Sequence, residues 1–319
     1  MSKTLVFNSE LKSQNKVLVD GKVLKVDDLL EPHEIPSWLT DQYMESVLVK
    51  ARQDPALKVK RIVVQQCGGK GDSYASTMYR VATFYYCIDH PEITNFGSYI
   101  IKTLPTLEMA KEKLGTGHYN VQQKEMEMYQ HILPEYERIL TSVGEHGNIF
   151  PKALSIDHVH EVIVLEDLME KKFIMNDRTK GLDLKHSQIA LKKLASMHAC
   201  SIMMLQKNPK AFDNFDIGMF NRKTSAFHIF FQSNLEAVVN EVEQWPGQEY
   251  YAGKLRNLLK TMLENAMTTF DCDDGDLHVL THGDLWINNM MFKYDAEGNI
   301  IDIVVVRSSS DSLNFIITH

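Results

Sequence analysis

The spacing of hydrophobic and polar positions changes character about halfway along the chain. In the first half, short runs rich in β-branched and aromatic residues predict three strands: Arg61-Ile-Val-Val-Gln-Gln-Cys67, Met78-Tyr-Arg-Val-Ala-Thr-Phe-Tyr-Tyr-Cys87 and Ser98-Tyr-Ile-Ile-Lys102. Glycine-rich and Pro/Asn/Gly segments join them. Before them, residues 36–52 carry Tyr43, Val47 and Leu48 at helical spacing behind a candidate N-cap, Thr40, so an amphipathic helix precedes the sheet. A second helix starts at Asn120, with Gln123 as its reciprocal capping partner, and is expected to run to a break at Pro134. Its apolar stripe is Met128, Tyr129 and Ile132, and Glu125 falls on that same stripe. Two further short strands are expected near 153–157 and 161–166.

Helical periodicity then takes over. Residues 185–205 form a long amphipathic pattern with a stripe of Leu191, Leu194, His198, Ile202 and Leu205, and residues 224–241 and 249–269 predict two more helices. Strands with one embedded helix followed by a helical half give an α+β class in two lobes, 1–166 and 167–319. A last unit breaks the helical run. Thr281-His-Gly-Asp-Leu-Trp-Ile-Asn-Asn289 leads into an apolar strand at 290–294, a Gly-containing turn at 295–299 and a second strand from Ile300 to Val306.

Composition narrows the chemistry. A chain of 319 residues, 44% hydrophobic and 24% charged, has enough material for one large or two medium cores. A net charge of −8 argues against a nucleic-acid surface, which needs clustered Lys and Arg. Cys67, Cys87, Cys200 and Cys272 are scattered without a Cys-x-x-Cys pair, as expected of reduced thiols in the cytoplasm. Neither a signal-peptide pattern nor an apolar run approaching the ~20 residues of a membrane helix is evident, so a soluble, cytoplasmic protein is expected.

Residues 281–292 carry the most specific signal. An aspartate (Asp284) behind His282-Gly283, with an asparagine (Asn289) five positions on, suits phosphoryl transfer: the carboxylate can orient a substrate hydroxyl and the amide oxygen can face a magnesium ion. The glycines at 68, 69 and 71, with Ser73 and Ser76, lie between strands, where backbone amides could close over phosphates or simply turn a hairpin. Lys102 ends its strand and reads either as a solvated terminus or as the cation that answers Glu125, since a carboxylate on an apolar stripe is costly without a partner. His198 reads as a hydrogen-bonded core residue. His158 and His160 share one side of their segment and lack a third ligand, and the acidic loop from Asp271 departs from a calcium loop at Gly275 and His282.

Taken together, Pro36-Ser-Trp-Leu, Gly71-Asp-Ser-Tyr-Ala-Ser-Thr-Met-Tyr-Arg80, Ile101-Lys-Thr-Leu-Pro105, Lys124-Glu-Met-Glu-Met-Tyr129, Val164-Leu-Glu-Asp-Leu168, Leu194-Ala-Ser-Met-His-Ala199 and the His282 motif resemble the ecdysteroid kinase-like (CHK kinase-like) family, relatives of choline and aminoglycoside kinases. The resemblance implies a protein-kinase-like fold and ATP- and Mg²⁺-dependent transfer of the γ-phosphoryl group to a small-molecule hydroxyl, with ecdysteroids as the acceptor class. Carried over by motif, Asp284 orients the accepting hydroxyl and His282 braces its loop. Asn289 binds magnesium, Lys102 held by Glu125 grips the phosphates, and Gly71, Ser73 and Ser76 cover them. The backbone at Glu166, Asp167 and Leu168 meets the adenine.

One position departs from the family pattern. Counted from Gly298, the magnesium-chelating aspartate of the family's Asp-Phe-Gln segment falls at Arg307, and the tail to His319 is short for the helices that follow in relatives. A positive charge there in place of a negative one costs several kcal/mol at an effective dielectric of ~20. An alternative reading is therefore a catalytically silent pseudokinase or truncated isoform that binds nucleotide or ligand without turnover. A third, metal-dependent hydrolysis through His158, His160 and the acidic loop, has no complete ligand set.

Overall fold

Among the described residues, backbone polar groups find partners in antiparallel sheets, the largest of five strands, and in a set of helices, as the change of period along the chain requires. The computed structural model describes residues 35–67, 77–103, 121–215, 226–268 and 277–306, positions 220 and 222, and strand segments 5–6, 16–19, 22–25 and 317–318. Gly71, Ser73, Ser76, Asn120, the acidic loop from Asp271 and Arg307 lie outside the described residues.

The strands in chain order are β1 (Leu5–Val6), β2 (Lys16–Val19), β3 (Lys22–Lys25), β4 (Leu57–Cys67), β5 (Thr77–Cys87), β6 (His90–Thr103), β7 (Ala153–Asp157) and β8 (Val162–Glu166). There follow β9 (Phe173–Met175), β10 (Val279–Leu280), β11 (Met290–Tyr294), β12 (Ile300–Val305) and β13 (Ile317–Thr318). The helices are α1 (Asp41–Arg52), α2 (Val121–Glu127), α3 (Leu133–Ser142), α4 (Leu184–Lys207), α5 (Ala226–Val242) and α6 (Glu249–Thr268). They form two compact units that interleave along the chain: residues 1–104, 150–176 and 290–310 in one, and 105–149, 177–289 and 311–319 in the other.

The first unit is built on a five-stranded antiparallel sheet ordered β4-β5-β6-β8-β7. Alternation along each strand gives the sheet two different faces. Tyr79, Val81, Tyr85, Tyr99, Ile101, Val162 and Val164 form one apolar core with Met44, Val47 and Leu48 of α1. The opposite face carries Arg80, Ser98 and Lys102. Thr40 caps α1 as expected, its hydroxyl accepting from Tyr43 N at 3.2 Å. The helix also guards the sheet edge: Asp41 accepts from Ile62 N at 2.8 Å and Glu45 from Val59 N at 2.9 Å, beside the bulge at Val59/Arg61. Those contacts occupy donors that an edge strand would otherwise expose. Gly97 is required by packing, because a Cβ there would stand 2.5 Å from the Tyr99 hydroxyl, which accepts from Arg52 at 3.1 Å. The expected hairpin of β11 and β12 is present, and β9 pairs with β11 to make a three-stranded sheet.

In the second unit, the helix expected to stop at Pro134 continues. A π-helical turn over Met128–Ile132, in which Leu133 N reaches back to Met128 O, joins α2 to α3 with Pro134 in the first turn of α3, and the wider turn carries the helix past the proline. The stripe assigned to α4 is also corrected. Leu191 is 62% exposed, and the buried positions are Ala190, Met197, Cys200 and Ser201. Three of these are small, and they let β10 approach closely: Ser201 Oγ accepts from Leu280 N at 3.1 Å. The helices at 184–207, 226–242 and 249–268 stand where periodicity placed them. Among the described residues no helix is long and apolar enough to cross a membrane.

Candidate active site

The His282 loop begins where β10 ends. Gly283 takes φ +75°, a left-handed conformation that favours glycine, and this turns the chain so that Asp284 N donates to His282 Nδ1 at 3.2 Å. A ring nitrogen that accepts there leaves the proton of a neutral imidazole on Nε2. Trp286 N donates to Asp284 O at 3.1 Å, and Asn289 N donates to Trp286 O at 2.9 Å, closing a short 3₁₀ turn over Ile287–Asn289. The Asn289 side chain then reaches back. Its Nδ2 donates to Asp284 O at 2.7 Å and to Asp284 Oδ2 at 2.8 Å. Because both partners are acceptors, the amide nitrogen must face them, and its oxygen is directed elsewhere.

Burial agrees with this division of labour. His282 is 3% exposed and Asn289 is fully buried, whereas Asp284 is partly accessible and Trp286 is 44% exposed. The loop therefore presents a carboxylate on a fixed backbone. Oxygen donors of this kind, one carboxylate and one amide, are hard ligands suited to magnesium beside substrate phosphates. Among the described residues no group of three or more His, Cys, Asp or Glu side chains gathers at one place.

Lys102 is fully buried near the end of β6, so the solvated reading of that strand terminus does not hold. Glu125 is 2% exposed, on the buried stripe with Met128, Tyr129 and Ile132 as its spacing indicated. Burial of either charge is tolerable only with compensating partners. Glu166 ends β8, its N–H donating to Lys152 O at 3.0 Å and its carboxylate meeting Lys171. Leu168 is buried with Phe173 and Val304.

Asp167 turns inward. Its Oδ2 accepts from Arg80 Nε at 2.7 Å and Ser98 Oγ at 2.6 Å, while Oδ1 accepts from Met169 N at 3.1 Å and caps the 3₁₀ turn Leu168–Lys171. Arg80 Nη2 also reaches Met169 Sδ at 2.8 Å. Desolvation works against the Arg80 charge, but the Asp167 carboxylate bonded to it outweighs that and holds the guanidinium protonated. The Cys67 thiol is pushed up by burial against the pull of Arg80. Sequence reasoning did not single out Arg80 or Ser98 as site residues. The available signal was an arginine in the middle of the apolar run from Met78 to Cys87.

His160 belongs to a packing cluster. Its Nδ1 lies 2.7 Å from Asp157 Oδ2, and its ring sits tilted 4.8 Å from Trp38 and edge-to-face 5.6 Å from Tyr43. His158 is exposed in the same turn.

The ecdysteroid kinase-like family model matches residues 70–306, from the glycine-rich segment to the end of the β12 hairpin. No curated protein matches the chain. The mixed α+β fold with its five-stranded antiparallel sheet is consistent with a kinase-like architecture. The family supports small-molecule, kinase-like phosphotransfer as the general activity. On the extent of that match, the chain is a member of the ecdysteroid kinase-like family.

Proposed function

We propose that this protein transfers the γ-phosphoryl group of ATP to a hydroxyl of a small molecule of the ecdysteroid class. The observation that carries the reading is the Asp284–Asn289 clamp, a partly accessible carboxylate pinned through both its own oxygen and its backbone by one buried amide. In this reading the acceptor hydroxyl gives its proton to Asp284 as its oxygen bonds to the γ-phosphorus, and the bond to the β–γ bridging oxygen breaks to release ADP. His282 fixes the turn through Asp284 N. Lys102, steadied by Glu125, holds the phosphates, and the backbone from Gly71 through Ser73 to Ser76 covers them. The segment Glu166 to Leu168 meets the adenine through its main chain. Asn289 would hold Mg²⁺ by its amide oxygen, and bound Mg²⁺ neutralises charge on the transferring phosphates. The family supports a small-molecule acceptor, and the net charge of −8 argues against nucleic acid as the partner.

The test is Mg²⁺-dependent ATP turnover by the full chain with a panel of ecdysteroids, comparing wild type with Asp284→Ala. A fall of ~10²-fold or more is expected from loss of a general base; equal rates would sink the assignment. A second reading, nucleotide binding without turnover, draws on Arg307 at the position of the family's metal-binding aspartate. Under that reading ATP raises the melting temperature with or without Mg²⁺, since a ligand that binds the native state stabilises it by mass action.

A further inference from the structure

We infer that Arg80, acting with Ser98 through Asp167, is a positioning residue that sets the backbone following β8 for reading a nucleotide base, an inference that rests on the proposed kinase reading. Two neighbouring strands grip one carboxylate: Arg80 on β5 and Ser98 on β6 both donate to Asp167 Oδ2, at 2.7 and 2.6 Å. The other carboxylate oxygen takes Met169 N, and the guanidinium continues to Met169 Sδ at 2.8 Å. Residues 167 and 169 are thereby tied to the same arginine. The turn closes on itself as well, with Glu170 N donating to Asp167 O at 3.1 Å and Lys172 N to Met169 O at 3.0 Å. Just upstream, Glu166 N is held by Lys152 O.

This is an expensive way to hold a loop. Side-chain exposure is 15% for Arg80 and 4% for Asp167, and a buried pair of this kind is seldom more stabilising than apolar residues of the same volume. What the pair supplies and packing cannot is direction: a guanidinium fork and a hydroxyl define where one carboxylate, and so its backbone, must stand. The carboxylate is spent inward on three donors. Base recognition at this segment therefore falls to main-chain groups whose placement Arg80 controls. Such groups distinguish adenine from guanine, because the two purines present opposite donor and acceptor atoms at their six-position edge.

The experiment measures equilibrium binding of ATP and of GTP to the full chain, as wild type, Ser98→Ala, and the double variant Arg80→Met with Asp167→Leu, with a thermal melt of each. The double variant replaces the ion pair with apolar side chains but leaves Ser98 Oγ and Met169 N without their acceptor, so its melting temperature is expected to fall, by less than that of Asp167→Ala, which also leaves the guanidinium unpaired. It should bind ATP ~10-fold more weakly or worse, and its ATP-over-GTP preference should fall toward one. Ser98→Ala, which removes a single bond, should shift the preference in the same direction by a smaller factor, and it decides the matter if the double variant does not fold. Wild-type affinity and preference in a folded variant overturn the positioning role while leaving the kinase reading intact. A wild-type chain that binds neither nucleotide overturns both.

Discussion

Asp167 and Asp284 each sit in a turn beside the end of a strand, yet the protein treats them in opposite ways. Asp167 is sealed, 5% exposed, and meets a guanidinium, a hydroxyl and a backbone amide. Asp284 is partly accessible, and the side chain that fixes it within its own loop is the neutral amide of Asn289. A carboxylate sealed against an arginine is out of a substrate's reach, and its value is geometric. One held by an amide at an accessible position keeps its orientation and can still meet a substrate. The same side chain thus acts as a strut in one unit and as a candidate base in the other, and the choice is made by the partner's charge and by solvent.

Substitutions can break that contrast. The largest stability effect is expected for Asp167→Ala, which leaves the Arg80 guanidinium buried without its counter-charge and should cost about 3–5 kcal/mol in denaturant unfolding. A loss below about 1 kcal/mol would show that water enters and the node is not sealed. Asn289→Ala comes next. It removes both bonds to Asp284 from a fully buried site and should cost about 1–3 kcal/mol, together with a fall in turnover of the same order as that of Asp284→Ala. Asp284→Ala itself should cost only about 1 kcal/mol, since Asn289 keeps its bond to the backbone oxygen. If Asp284→Ala proves as destabilising as Asp167→Ala, both carboxylates are struts.

Two buried polar atoms without partners among the described residues sharpen the comparison further. His198, expected to be a hydrogen-bonded core residue, is half-buried with its Nε2 shielded and without a partner among the described residues, and burial lowers the imidazole below its usual 6.5. The unfolded chain then takes up a proton at a pH where the folded ring still resists it. This contribution to stability is complete above about 6.5 and is lost as pH falls toward the folded value. The urea midpoint should drop between pH 7.5 and 5.5 by more in wild type than in His198→Gln; identical drops would mean the ring is hydrated. The smallest effect is expected at Thr83, fully buried in the centre of β5 with no partner for its hydroxyl among the described residues. Thr83→Val keeps the shape and should stabilise by about 1 kcal/mol, read as a higher melting temperature.

Local pattern carried far in this chain. Thr40 as a cap, the strands at β4 to β8, the three long helices and the β11–β12 hairpin all follow from periodicity and turn chemistry between near neighbours. So does the backbone of the candidate site, because His282, Asp284 and Asn289 bond to one another within eight residues around the left-handed turn at Gly283. Where the pattern misled, the missing information was non-local. Leu191 is apolar and at the right spacing, but the face of α4 that β10 approaches is the one with small residues, so Ala190, Cys200 and Ser201 are inside and Leu191 is out. Pro134 normally ends a helix, and only the π-helical turn before it shifts the proline to a first-turn position.

By itself the sequence determined which segments are strands and helices, the α+β class, the family, and the loop that carries Asp284 and Asn289. Each of these depends on spacings shorter than a dozen residues or on a motif written contiguously. Tertiary structure alone decided that Arg80, Ser98 and Asp167 meet across 87 positions of chain, and that Lys102 is buried rather than solvated. Such choices are made when a pleated sheet stacks distant side chains on one face and closes them off from water, where a charge must find its partner or the fold pays for it.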